Sequence, residues 1–380
     1  MKYLWPLAVL FLSNFLTAQE SENPLFSSFE EYKKAKENTP FQVKWISAGP
    51  VTNSARVEAL QGDPNQPGTM YVAFGSGNLW KTTNNGLDWK PIFENQPTLG
   101  IGDIAIAPSN SEILYLGTGE SLRKNRNFTM PGTGVYRSDD GGETWAHLGL
   151  ENTWHIGEIA VHPLNPDIVF VAAMGKFWSK STSKGIYRTT NGGKDWERVL
   201  YVNDDTRAND IVIAHSNPKI IYASMWENND DTNIVESVFG PNSGIYYSSD
   251  GGSNWKRSKN GLPDKPKIGR IGLAVSYQNA QKVYALIDNR NETEGNSAEV
   301  YQSMNGGVTW KRSHNDTLRI FPGNNIGWYF ADIYVNPKND EEIYSLGVRM
   351  AHSMDGGKTF RTVGGNIQHL QPSPAQTLHL

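Results

Sequence analysis

Apolar residues recur along this chain in short bursts of about four to seven, often alternating with polar ones, and most bursts are followed by Gly, Asn, Asp or Pro. A period of two over such lengths, bounded by turn formers, predicts strands half-buried on one face. The first set reads RVEAL, TMYVAFG, NLWKT and WKPIF, and the second covers residues 104–107, 113–117, 134–138 and 144–148. EIAVHP, IVFVAAM, GIYRT and WERVL follow, then DIVIA, IIYASMW, GIYYS and WKRS. RIGLAVS, KVYALID, AEVYQS and WKRS come next, and DIYVNP, EIYSLGV, RMAHS and TFRTV close the series. These segments are too short and too rich in Val, Ile, Tyr and Trp to carry a helical stripe. Only residues 29–37 (FEEYKKAKE) predict a helix, a charged surface element ahead of the strands.

One turn motif, S/T-x-D/N-x-G-x-x-W/F, sits between the third and fourth strand of every set. Its six copies begin at Thr82, Ser138, Thr189, Ser248, Ser303 and Ser353, at intervals of 50 to 59 residues. A repeat of that length, with four antiparallel strands in each copy, predicts an all-β fold: a β-propeller of six four-stranded blades. The third position alternates between amide and carboxylate: Asn84, Asp140, Asn191, Asp250, Asn305 and Asp355. An acid catalyst or cation ligand loses its chemistry on becoming an amide, whereas a hydrogen-bond acceptor does not, so the motif reads as structural. Its glycines supply left-handed backbone, Asn85 stands in for one of them, and the final Trp or Phe anchors the turn.

Residues 1–18 carry Lys2, an apolar run and Ala18 before Gln19, the order of a secretory signal peptide rather than of a membrane span. Residues 19–40 read as a linker, 41–363 as the propeller and 364–380 as a tail that is a possible start of a further blade. Phe41 opens FQVKWISA, an orphan outer strand that reads either as the extra strand of a six-bladed ring or, the preferred reading, as the mark of an incomplete part of a larger propeller array. The chain has no cysteine, so disulfides and thiolate metal sites are excluded. Its histidines lack ligand spacing, and neither a phosphate-cradling loop nor a nucleophile elbow occurs, so no metal or cofactor is expected. The formal charge is −4, with no basic run, which speaks against nucleic acid and anionic membranes as partners. A secreted or periplasmic protein without membrane insertion is expected.

Taken together, the six motifs resemble the Asp-box, or BNR-repeat, propellers, a group that includes sialidases, family 74 xyloglucanases and the sortilin N-terminal domain. The phrases GTGES, GLENTWHIGEIAVHPLNPDIVFVAAMG and VLYVNDDT are most similar to large exported bacterial proteins of the sortilin-like or glycosyl-hydrolase-like type. The resemblance implies a propeller that binds an extracellular peptide or polysaccharide on its loop-rich face. Its alternative is a glycoside hydrolase with a carboxylate pair at the channel mouth. Two departures bear on the alternative. Gly77 and its neighbours (FGSGN, 74–78) hold glycine where the xyloglucanase pattern has a catalytic Asp, and Ser54-Ala55-Arg56-Val57 is only a partial match to the sialidase FRIP segment.

The motif hairpins share a face with the first turns of each set, so the long loops, 120–133, 176–184, 227–243 and 288–297, lie on the opposite face. A charged residue opens the innermost strand of every set: Arg56, Asp103, Glu158, Asp210, Arg270 and Asp332, each followed by Val or Ile. These six are expected to ring the channel mouth, as a neutralising network or as a grip on a polar ligand, with Glu120 and Arg123 beside them on a loop. Glycoside hydrolysis requires two flanking carboxyls, and two of Asp103, Glu158, Asp210 and Asp332 are the candidates.

Overall fold

The structure, a computed structural model, describes residues 23–39, 56–121, 129–177, 179–228, 238–264, 266–291, 298–314, 318, 320–321 and 326–363. The signal segment 1–18, the orphan strand at Phe41, Arg123 and the tail 364–380 lie outside them.

Six four-stranded antiparallel sheets stand in a ring, a six-bladed β-propeller that is nearly all β. Blade one holds β1 (Val57–Gly62), β2 (Met70–Phe74), β3 (Asn78–Thr82) and β4 (Lys90–Pro91). Blade two follows with β5 (Ile101–Ile106), β6 (Leu114–Thr118), β7 (Val135–Ser138) and β8 (Ala146–His147). Blade three has β9 (Ile156–Val161), β10 (Val169–Ala173), β11 (Gly185–Thr189) and β12 (Glu197–Leu200). In blade four these are β13 (Thr206–Ile213), β14 (Ile221–Glu227), β15 (Gly244–Ser248) and β16 (Lys256–Arg257). Blade five has β17 (Ile268–Val275), β18 (Val283–Asn289), β19 (Ala298–Ser303) and β20 (Lys311–Arg312), and blade six β21 (Asp332–Asn336), β22 (Asn339–Leu346), β23 (Met350–Ser353) and β24 (Arg361–Val363). In each sheet the strands pair in chain order, and the core lies between neighbouring blades, as where Ile92 and Phe93 of blade one pack with Ile104 and Tyr136 of blade two. The fourth strands are shorter than the sequence pattern suggests. The helix α1 (Pro24–Glu37) is longer than residues 29–37, because Asn23 caps it by accepting from the Leu25 N–H and Pro24 starts it.

Each motif folds into the same hydrogen-bonded hairpin. The opening Ser or Thr hydroxyl donates to the third-position side chain at 2.7 to 3.0 Å and accepts from the second glycine-position N–H at 2.8 to 3.0 Å. The third-position oxygen also accepts the backbone N–H four residues on. At the remaining atom the two versions differ in a consistent way. Where the third residue is Asp it accepts from Thr144, Asn254 or Thr359, and where it is Asn it donates to Asp88, Asp195 or Thr309. The turn thus tolerates amide or acid because its fourth-following partner is complementary. The hairpin is tied to the first turn of its own blade by a backbone bond repeated six times, from Asn85 to Gly68, Gly141 to Glu112, Gly192 to Asp167, Gly251 to Lys219, Gly306 to Gln281 and Gly356 to Glu341. Hairpins and first turns therefore share one face, as the sequence pattern implied.

Candidate functional site

The six charged residues lie at the channel end of the innermost strands, but in four blades they do not open them. β5, β9, β13 and β17 begin two residues earlier or more, and a β-bulge falls at or just before the charged position. A bulge adds one unpaired residue and re-aims its neighbours. In blades two and three that extra residue is glycine, and the next blade explains why: a Cβ on Gly102 would come within 2.0 Å of the Ile156 carbonyl, and one on Gly157 within 2.6 Å of the Asn209 carbonyl.

This geometry divides the six residues by role. Asp103 Oδ2 accepts from the Ile159 N–H of the next blade at 2.8 Å, and Asp210 Oδ2 from the Leu273 N–H at 2.7 Å. These two acids join innermost strands. Arg270 pairs with Asp332 at 3.3 Å across the blade five to blade six boundary and reaches the Tyr329 carbonyl. Arg56 pairs with Glu120, whose side chain is fully buried. The Glu120 carboxylate is thus withdrawn from solvent, while Arg56 keeps partial exposure and the two charges neutralise each other.

Glu158 is the exception. It is half-buried and lines a cavity of about 660 Å³ that runs down the channel between Ile159, Ile211, Leu273 and Ile333. Withdrawal from water raises its pKa well above the usual carboxylate range, and the acids Asp103, Asp210 and Asp332 push in the same direction against the pull of Arg270. A carboxyl in this setting favours its protonated form more than an exposed one does, and it faces the cavity. Asp210 shifts upward for the same primary reason, burial, and Asp332 rises with burial while the Arg270 guanidinium pulls it down.

A residue that the strand pattern did not single out, Glu58, occupies the bulge of β1. Its Oε2 accepts from Ser121 at 2.8 Å, its Oε1 is buried without a partner, and burial pushes its pKa up to about 7. Glu58 and Glu120 crowd Gly75, where a Cβ would meet Glu58 Oε1 at 2.6 Å and Glu120 Cγ at 2.8 Å. No side chain fits there, so the FGSGN turn cannot regain an acid at Gly75 without displacing both glutamates. The only sign of Glu58 in the sequence was an acid one place beyond the expected apolar position. Among the described residues no group of His, Asp and Glu is arranged to hold a metal ion, and no helix is long and apolar enough to cross a membrane.

Comparison with known proteins agrees with this architecture. The Sortilin-Vps10 family, described as sortilin, neurotensin receptor 3, matches residues 133–264. The xyloglucanase Xgh74A of Acetivibrio thermocellus is 25% identical over 357 residues, covering 76% of this chain and 39% of its own length. An ancestral GH74 enzyme superposes with a TM-score of 0.59 at 21% identity, covering 82% of this chain and 38% of that one. YCF48 bound to D1 peptide superposes with a TM-score of 0.50 at 13% identity, covering 81% and 82%. At these identities the solved structures share the fold alone, and the chain spans about two-fifths of the length of the xyloglucanase it matches. The chain is a β-propeller of the sortilin-like and glycosyl-hydrolase-like kind.

Proposed function

We propose that this propeller acts on an extracellular polysaccharide, hydrolysing a glycosidic bond at the channel mouth with Glu158 as proton donor. The observation that carries the reading is a carboxyl on the wall of the cavity, its pKa raised by burial and by neighbouring acids, in a propeller similar to xyloglucanases. Glycosidases pair a carboxylic acid of raised pKa with a second, ionised carboxylate. Of the remaining acids, Asp103 and Asp210 are engaged by backbone N–H groups of the next blade, which leaves Asp332, ion-paired with Arg270, as the proposed partner. In the proposed reaction the bond from the anomeric carbon to the leaving oxygen breaks as that oxygen takes the Glu158 proton. Water adds to the anomeric carbon and gives its proton to Asp332. Export, inferred from residues 1–18, belongs to this reading.

Purified protein incubated with a panel of neutral polysaccharides tests it by release of reducing ends. Release that falls by about 10² or more in Glu158→Gln supports the assignment, that being the usual scale of general acid catalysis. Binding without release would instead favour a glycan-binding propeller. Release unaffected by the substitution would remove Glu158 from the reaction.

A further inference from the structure

Strand pairing sorts the channel wall into levels. In every blade one residue of the innermost strand pairs with a second-strand aromatic, which is Tyr71, Tyr115, Phe170, Tyr222, Tyr284 or Tyr344. Their partners in blade order are Gln61, Ala105, Ala160, Val212, Ala274 and Tyr334, and all six line the cavity. Two residues earlier, on the same face of each strand, stand Ala59, Asp103, Glu158, Asp210, Gly272 and Asp332. The acids of the channel mouth therefore lie one level above this ring. Four of its six members are Ala or Val, and Tyr334 alone brings an aromatic side chain to it.

Two other tyrosines show what a phenol does when a carboxylate stands two residues before it on a strand. Tyr301 donates to Glu299 and Tyr344 to Glu342, each at 2.8 Å. Asp332 is one methylene shorter than those glutamates, and Arg270 of blade five pairs with its carboxylate at 3.3 Å. No Asp332–Tyr334 bond forms among the described residues, and the half-buried Tyr334 stays on the cavity wall. Burial raises the pKa of its phenol well above the usual value, and Asp332, Glu158, Asp210 and Asp103 push it the same way. Acids of four blades thus act on one hydroxyl and hold it in its neutral form. Tyr334 is a hydrogen-bond donor here, not a phenolate nucleophile.

We propose that Tyr334 is a substrate-binding residue one level below Glu158, its ring seating the apolar face of a sugar unit and its hydroxyl donating to a free hydroxyl of that unit. The assignment rests on the polysaccharide reading above. A sugar unit presents carbon–hydrogen faces and a hydroxyl rim, and a tyrosine offers an apolar body with a polar tip to match both. Ala105, Ala160, Val212 and Ala274 leave room at this level for the unit. Two blades separate Glu158 of β9 from Tyr334 of β21 around the ring, so the two side chains approach the unit from different walls. Glu158 then faces the bond to be broken while Tyr334 fixes the sugar beside it.

Tyr334→Phe keeps the ring and removes the hydroxyl. For the polysaccharide that the parent cleaves best, KM should rise about three- to tenfold, the scale of one lost neutral hydrogen bond, while kcat changes by less than about twofold. Tyr334→Ala, which gives blade six the residue found at this level in blades two, three and five, should raise KM further. An unchanged KM in Tyr334→Phe, with release still dependent on Glu158, would overturn this proposal and leave the hydrolase reading standing. Titration calorimetry of the tightest-binding polysaccharide against Glu158→Gln, with and without Tyr334→Phe, tests the contact apart from turnover. Weaker binding in the double variant supports the contact even where the parent releases nothing, and equal binding overturns it. Failure of every neutral polysaccharide to bind the parent would overturn both readings.

Discussion

Asp103 accepts the backbone N–H of Ile159 at 2.8 Å, so an acid of one blade holds the innermost strand of the next. The bond fixes what substitution should do. Asp103→Asn retains an accepting oxygen and should leave stability and any turnover close to the parent, whereas Asp103→Ala orphans a buried N–H and should cost about 1 to 3 kcal/mol in urea unfolding. Loss of turnover in Asp103→Asn with stability intact would make Asp103 part of the chemistry instead.

The complementary partners within the hairpins predict an asymmetry. Asp250→Asn should leave the unfolding midpoint unchanged, because Asn254 can present its carbonyl to the new amide. Asn191→Asp places a carboxylate against Asp195, where an amide now donates at 2.9 Å, and should destabilise by roughly 1 kcal/mol at low salt. Adding Asp195→Asn should restore the midpoint. Equal effects for Asp250→Asn and Asn191→Asp would mean that the fourth-following residue is irrelevant.

The motif tryptophans of blades two and three tie each blade to the one before it. Trp145 Nε1 donates to the Ile92 carbonyl and Trp196 Nε1 to the Leu148 carbonyl, at 2.9 and 2.8 Å. Alanine at either should cost about 3 to 5 kcal/mol through the loss of the ring, and phenylalanine about 1 through loss of the bond. Losses below about 1 kcal/mol for both alanine variants, read by denaturant unfolding, would contradict an anchoring role.

Stability should fall on both sides of mildly acidic pH. Burial raises Glu58 to about 7, above its unfolded value, so its contribution is complete below the ordinary carboxylate pKa and is lost as pH rises through 7. Turn hydrogen bonds hold Asp140, Asp250 and Asp355 down to about 2, so theirs is complete above the ordinary value and lost as pH falls through about 2. A shift of the Glu58 size corresponds to a loss on the order of 3 kcal/mol between pH 5 and pH 8. Glu58→Gln should flatten that alkaline limb in thermal melts, and an unchanged slope would show that Glu58 does not titrate as described.

Much of the fold was legible because each hairpin and strand announces itself locally. The Ser, Asp and Gly positions of the motif make their bonds within a few residues of one another, and alternation such as RVEAL marks a half-buried strand. The site was legible only as a register. Asp103, Glu158 and Asp210 look alike in sequence, yet two of them receive a neighbouring blade's N–H and one faces the cavity, a distinction set by how blades pack. Glu58 escaped notice because a bulge shifts it out of the strand alternation, and bulges are placed by the adjacent blade. Glu120 looked like a loop residue and proved fully buried, because Arg56 pairs with it.

The account turns on the proton held by Glu158. Reducing-end release from the polysaccharide that the parent cleaves best, measured against pH for the parent and for Glu158→Gln, tests it directly. The account predicts activity that declines as Glu158 deprotonates on the alkaline side and that falls by about 10² or more in the variant, with folding unchanged. An equally active variant with the same pH profile would contradict it.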